Sequence, residues 1–203
     1  MNNNKNDNKN NILEEIVSCI SNILDVKDFS VCKVNSNYEL HINVKNIFKV
    51  AKVIKDYERL KFGQLMDITA VDFPSKEDRF EMVYIFLSIN LKARLIIKFS
   101  IDDEVNIESL SSIFPSANWY EREIWDLFGI SFSNHPDLRR ILTDYGFVGH
   151  PLRKDFPLSG NVQVKYDVAS KKVIYEPVKL AQSFRTFDFE SPWEGDTNKD
   201  SNE

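Results

Sequence analysis

Between Met82 and Leu87 the chain reads Met-Val-Tyr-Ile-Phe-Leu, so an extended segment here has apolar side chains on both of its faces. Strand side chains alternate between faces, and a run that is apolar on both belongs to a central strand covered on both sides. The run lies within Phe80 to Asn90, and a second strand-like stretch, Ala93 to Ile101, follows across Asn90-Leu91-Lys92. The two are predicted to form a hairpin. Gln64 to Phe73 reads as a third long strand. Upstream, Phe29 to Val34 and Tyr38 to Val44 read as two shorter ones, joined by a turn at Asn35-Ser36-Asn37. Apolar residues recur at helical spacing from Asn11 to Leu24, and again at Ile47, Val50, Ala51, Ile54 and Tyr57. The order helix, two strands, helix, three strands predicts an α+β fold, a mixed β-sheet with helices packed on it.

After Ile101 the texture changes. A short helix is predicted around Ile107 to Ile113, before Pro115. Ser116 is placed to cap the next helix, which stops at Gly129. From Ser131 to Gly160 the chain is rich in Pro, Gly, His and Arg and has no periodicity. Val162 to Tyr166 and Lys172 to Tyr175 then suggest a polar hairpin. The expected organisation is a disordered tail over 1–10, an α+β domain over 11–160, a hairpin and extended partner-wrapping segment over 161–195, and a second disordered tail over 196–203. Phe184, Phe187, Phe189 and Trp193 are too many aromatics for a solvated tail, so this segment is expected to order only on a partner.

Composition removes several function classes. A chain of 203 residues supports one domain with a proper core, and a net charge of −5 does not suit a nucleic-acid partner. No apolar run is long enough to cross a bilayer, and the first residues carry neither a signal region nor a presequence. The two cysteines, Cys19 and Cys32, are too few for a four-cysteine iron–sulfur cluster or a structural zinc, and both are expected to be buried thiols. No glycine-rich phosphate loop follows a strand, and no serine sits in a nucleophile elbow. His135 and His150 could join Asp137, Asp144 or Asp155 at a metal, but their spacing fits no ligand pattern. Bonding to backbone carbonyls, or facing a partner, suits loop histidines better.

The densest chemistry lies in Glu121-Arg122-Glu123-Ile124-Trp125-Asp126-Leu127-Phe128. At roughly 100° per residue from Trp119, Leu127, Tyr120, Ile124, Phe128 and Trp125 share an arc of about 80° to 240°. Arg122, Asp126 and Glu123 fall on the opposite side, where Arg122 and Asp126 form an i,i+4 pair. Glu121 falls inside the apolar arc. A carboxylate there must be paired or protonated, and Arg139, Arg140 and Arg153 are the available partners. The other reading puts Glu121 at the helix rim, reaching water. Arg139, Arg140, Arg153 and Lys154 are expected to make ion pairs to another subunit or pairs that fix the loop; a solvated basic patch is the alternative.

Glu121-Arg122-Glu123 and Asp126-Leu127-Phe128, followed by His135, Arg139, Arg140, Ile141 and Leu142, resemble the signature of one hydrophilic subunit of respiratory complex I, usually called the 30 kDa subunit. The resemblance continues through Gly149-His150-Pro151-Leu152-Arg153-Lys154-Asp155-Phe156 and resumes at Val173-Ile174-Tyr175-Glu176-Pro177-Val178 and at Phe187 to Gly195. It implies an α+β domain followed by an extended C-terminal segment. It also implies a structural or assembly role, without turnover by the chain alone, in an enzyme passing electrons from NADH to quinone coupled to proton translocation. FMN and the iron–sulfur clusters would belong to other subunits, and no cofactor or metal to this one. The expected partner is the larger 49 kDa-type subunit, which shapes the quinone cavity. The expected location is the cytoplasmic face of a bacterial inner membrane, or the matrix side if the chain is organelle-encoded. Competing readings are the corresponding subunit of a related membrane-bound hydrogenase and a stand-alone soluble enzyme using His135 and His150.

Overall fold

The computed structural model describes residues 3–182, and side chains from residue 12 onward. It divides into two compact units, Met1–Leu158 and Ser159–Glu203. The first unit is built on a five-stranded sheet. Its strands are β1 (Phe29–Val34), β2 (Asn37–Ile42), β3 (Gln64–Asp72), β4 (Phe80–Ser88) and β5 (Ala93–Ile101). Their spatial order is β1-β2-β5-β4-β3. The β1–β2, β4–β5 and β3–β4 pairs are antiparallel, whereas β2 and β5 run parallel, so the sheet is mixed as predicted. The parallel pair follows from chain path: α2 (Ile47–Asp56) and β3 and β4 intervene between β2 and β5.

Cross-strand register gathers Tyr38, Leu40, Leu95, Ile97, Phe86, Tyr84 and Ile68 on one face of the sheet, and all of these are buried. Against them pack Ile16, Cys19 and Ile20 of α1 (Asn3–Ser21) and Val50, Ala51 and Ile54 of α2. From α3 (Ala117–Phe128) come Ala117, Ile124 and Phe128. Phe80 meets Phe128 edge-on, and Phe86 tilts against Phe114. β4 is an interior strand, between β5 and β3. Its second face is only half-buried, through Val83, Ile85 and Leu87, so this strand is fully covered on one side rather than two.

Several local expectations change. The first helix begins earlier and ends sooner than the Asn11-to-Leu24 periodicity suggests. Around Ile107 there is no helix. Ile107–Glu108 is a short strand, β6, parallel to β7 (Phe132–Ser133), with Ile107 N–H donating to Ser131 O and Ser109 N–H to Ser133 O. A distant segment offers the backbone its partners here, and that outweighs a weak local helical pattern. Ser116 occupies the N-cap of α3 without capping it; its Oγ donates to Leu65 O instead. Gly129 does end the helix, at φ +79°, with its N–H on Trp125 O. Cys32 is exposed, against expectation; Cys19 is buried, and burial together with nearby Glu15 pushes its thiol up to about 11.

In the second unit, β8 (Val162–Asp167) and β9 (Lys172–Pro177) form an antiparallel hairpin. The Asp167 carboxylate accepts the N–H groups of Ala169 and Ser170 and shapes the turn. The aromatic stretch with Phe184, Phe187, Phe189 and Trp193, and the tail after it, lie outside the described residues.

Candidate functional site

The charged helix α3 is covered on both sides, and the polar side is the surprise. Arg122 and Asp126, expected to bond each other as an i,i+4 pair, are both buried. Arg122 instead donates through Nε to Arg139 O and through Nη2 to Arg140 O, each at 3.1 Å, and its guanidinium lies over Trp119. The Asp126 carboxylate holds the following loop. Its Oδ2 accepts three consecutive backbone N–H groups, from Ile141 (3.1 Å), Leu142 (2.8 Å) and Thr143 (2.9 Å). Its Oδ1 accepts from Arg140 Nη1 at 2.7 Å and from the Thr143 hydroxyl. Successive N–H groups turned inward make an anion-binding concavity, and here the anion is a side chain of the same domain. Burial alone would raise the Asp126 carboxyl, but these donors outweigh it and hold the group far below the ordinary range.

Arg140 is shared among several groups. Its other bonds go to Thr143 Oγ1 and Gly149 O, and it lies over the rings of Trp125 and Phe147. Arg153 serves the C-terminal end of α3: its Nε donates to Phe128 O at 2.6 Å, while its Nη atoms pair with Asp103. A cation at exposed helix carbonyls is favoured by the helix dipole as well as by hydrogen bonding. His150 Nδ1 donates to Asp126 O at 2.9 Å. Its ring lies so close to Gly129 that a Cβ there would sit 2.6 Å from Cδ2. Lys154 contributes its backbone N–H, to Asp72 Oδ2, rather than its ammonium. Arg79 grips Asp72 at 2.7 and 2.9 Å and reaches Asp155, holding both carboxyls below their usual range. Among the described residues, the Arg139 side chain forms only an exposed pair with Asp137. Glu123 is half-buried on α3. Of the four cations singled out in the sequence, Arg140 and Arg153 fix the loop through their side chains.

On the apolar side, Glu121 is fully buried, which removes the reading in which it reaches water. No arginine pairs with it among the described residues, so the expected ion pair is also wrong. Ser109 Oγ donates to Oε2 at 2.6 Å and Leu110 N–H to Oε1 at 2.7 Å. Ser109 is buttressed by Ser111, whose Oγ lies 2.8 Å away and whose N–H donates to it. These neutral donors do not offset desolvation, and burial pushes the Glu121 carboxyl up to about 7. His135 stands 3.8 Å away with a buried side chain. Asp137 N–H donates to its Nδ1, so Nδ1 is an acceptor, and Nε2 donates to Asn118 O. Tyr84 completes the pocket. Its hydroxyl is fully buried without a hydrogen-bond partner among the described residues, and burial, with Glu121 nearby, lifts it well above the ordinary phenol range.

Both loop histidines thus bond backbone carbonyls, and the structure does not bring His135 and His150 together with Asp137, Asp144 or Asp155 as a metal centre. The cluster of potential ligands found among the described residues is elsewhere, at Cys32, Glu39 and His41. Sequence reasoning missed Ser109, Thr143, Asp72, Arg79 and Asp103. The nearest signals were the Ser-rich stretch Ser109 to Ser112 and the lone Arg79 after three charged neighbours.

Residues 40–162 match the family described as respiratory-chain NADH dehydrogenase, 30 Kd subunit. A subunit of the NADH-quinone oxidoreductase of Paramagnetospirillum magneticum is 53% identical over 165 residues, covering 80% of this chain and 83% of the relative. NADH-ubiquinone oxidoreductase subunit 9 of Reclinomonas americana is 50% identical, over 76% of each chain. Among solved structures, one chain of an archaeal respiratory membrane complex, the membrane-bound sulfane sulfur reductase, is similar with a TM-score of 0.60 at 25% identity, covering 73% of this chain and 85% of that one. A trypsin-resistant fragment of Nqo5 shares the fold with a TM-score of 0.50 at 24% identity, covering 64% of this chain and 99% of the fragment.

Proposed function

The chain belongs to the family of the respiratory-chain NADH dehydrogenase 30 Kd subunit, and we propose that within the assembled enzyme it works as a non-catalytic clamp. It is a subunit of an NADH-quinone oxidoreductase, and its neighbours are other subunits of that complex. In our reading it binds neither flavin nor an iron–sulfur cluster and takes no part in electron transfer itself. FMN and the clusters belong to other subunits of a proton-translocating enzyme. Its chief partner is the 49 kDa-type subunit that shapes the quinone cavity. No helix among the described residues is long and apolar enough to cross a membrane. On this reading the chain attaches peripherally through the complex, on the cytoplasmic side in a bacterium or the matrix side in a mitochondrion.

One observation carries the clamp reading. On the β8–β9 hairpin, register places Val162, Val164 and Tyr166 opposite Pro177, Tyr175 and Val173, so all six apolar residues share one face. The other face is polar except for Ile174. Val164, Tyr166, Val173 and Tyr175 are each more than half exposed. A two-stranded hairpin with one continuous apolar face is stable only when something covers it. Phe187, Phe189 and Trp193 extend the same apolar character along the sequence. Glu121, Arg122, Asp126, His135, Arg140, His150 and Arg153 act on this view as architecture that presents the loop. A stand-alone enzyme is disfavoured because His135 and His150 are both tied to backbone carbonyls.

The test is affinity isolation of the tagged chain from membranes, with native mass spectrometry of what co-purifies. The double substitution Val164→Asp and Tyr175→Asp should cut recovery of the 49 kDa-type partner by at least about tenfold, as expected when a central apolar contact is lost. The melting temperature of the free chain should stay unchanged. Full recovery with the double variant would overturn the clamp. Recovery of hydrogenase subunits without an NADH-oxidising, flavin-bearing partner would favour the hydrogenase reading.

A further inference from the structure

We propose that Cys32, Glu39 and His41 form a surface site for a divalent cation of the zinc class, stapling the edge strand β1 to β2. Their ligand atoms all lie within 4.8 Å of one another. The arrangement follows from strand register. Cys32 is directly opposite Glu39 in the β1–β2 ladder, and His41 follows Glu39 by two residues and so projects from the same face. This is the sheet face away from the core, since the alternate residues Tyr38, Leu40 and Ile42 are the buried ones. Cys32 and His41 are exposed, which leaves the site open to solvent.

The donor set decides the class of ion. Thiolate and imidazole ligands select zinc and its borderline-soft neighbours and discriminate against magnesium and calcium, which prefer oxygen alone. Three protein ligands plus one water complete a tetrahedron, the common layout of an open zinc site. A backbone held in a β ladder supplies these donors on rigid supports, so little ordering is needed on binding.

One neighbour competes with the cation. Lys98, which pairs with His41 in the β2–β5 register, donates from Nζ to Glu39 Oε2 at 2.8 Å, while His41 Nε2 stands 3.8 Å from that same oxygen. A bound cation must take Glu39 from Lys98. The pair is partly solvated, and such pairs contribute little, so the ammonium can move into water at small cost. This competition gives the proposal a signature that chance binding to an exposed thiol would lack.

The test uses the metal-free full-length chain titrated with Co2+, whose thiolate charge-transfer and d–d bands report sulfur ligation and coordination number. The wild type should bind one equivalent with both signals. Cys32→Ser should abolish the charge-transfer band, and Cys19→Ser, at the buried thiol, should leave it intact. His41→Ala should weaken binding by at least about tenfold, a ligand costing no less than an outer-shell partner does. Lys98→Met keeps the aliphatic stem and removes the competitor, so binding should tighten. Zn2+ should raise the melting temperature of the wild type and of Lys98→Met, but not of Cys32→Ser. No band in the wild type would overturn the proposal. So would a band that survives His41→Ala and Glu39→Gln with affinity unchanged, since that would be binding by the thiol alone.

Discussion

Glu121 and Asp126 lie on the same helix, and neither has solvent exposure, yet their carboxyls move in opposite directions. Glu121 faces the sheet and finds one hydroxyl and one N–H. Asp126 faces the loop and finds three N–H groups, a hydroxyl and a guanidinium. Burial disfavours the charged form of both. The number and charge of the donors decides which carboxylate stays ionised. The loop side of α3 is held by charge, and the sheet side is held by packing around a polar group that costs stability when it ionises.

The largest expected effect would break the loop side. Asp126→Ala removes the acceptor for three backbone N–H groups and takes from the half-buried Arg140 guanidinium its carboxylate partner. A loss of roughly 3–5 kcal/mol is expected by chemical denaturation of the full chain, with hydrogen exchange accelerated at Ile141, Leu142 and Thr143. A loss below about 1 kcal/mol would mean that the loop is held by other contacts.

The sheet side predicts a pH dependence of the opposite sign from the usual carboxylate. The folded-state value of Glu121, about 7, stands above its ordinary 4.5, so the native chain binds the extra proton. Its contribution to stability is complete below about 4.5 and is lost as pH rises through about 7. The span corresponds to roughly 3 kcal/mol. Glu121→Gln has no proton to lose. Its amide can still accept from Leu110 N–H and donate to Ser109 Oγ. The variant should therefore flatten this part of the stability profile and match or exceed the wild type at pH 8. Equal pH profiles for wild type and variant would mean that Glu121 titrates alike in the folded and unfolded chain, and its side of the contrast with Asp126 would disappear.

The smallest effect sharpens the same contrast. Tyr84→Phe deletes a buried hydroxyl that has no hydrogen-bond partner among the described residues. Removing an unsatisfied polar group should leave stability within about 1 kcal/mol, or raise it. A loss above about 2 kcal/mol would reveal a bond from Tyr84 to the Glu121 pocket, because only a made hydrogen bond is costly to remove.

Much of the fold was legible because strands and amphipathic helices write their periods locally. β1, β5 and the hairpin β8–β9 fall where alternation and turn residues put them, and the α3 stop was legible in Gly129. The helical wheel also placed Glu121 correctly inside the apolar arc. It misassigned the partner, because serine and backbone N–H groups leave no mark as strong as an arginine. It also paired Arg122 with Asp126 across one turn on the far side of α3. That inference holds only when nothing folds back, and here Arg139 to Arg153 does. The helix expected at Ile107 to Ile113 failed for the same kind of reason: the partner of this segment, β7, is more than twenty residues away.

Neighbouring residues were enough to set the α+β order of elements, the buried stripe of each helix and the signature that identifies the family. All three rest on local properties, namely period, turn chemistry and composition. Folding in three dimensions was needed to settle which carboxylate is neutralised by which donors, that both histidines are bound to carbonyls, and that Cys32 is exposed beside Glu39 and His41. Those outcomes depend on which distant atoms meet in a low-dielectric interior or across a strand pair, and no local pattern encodes that distance.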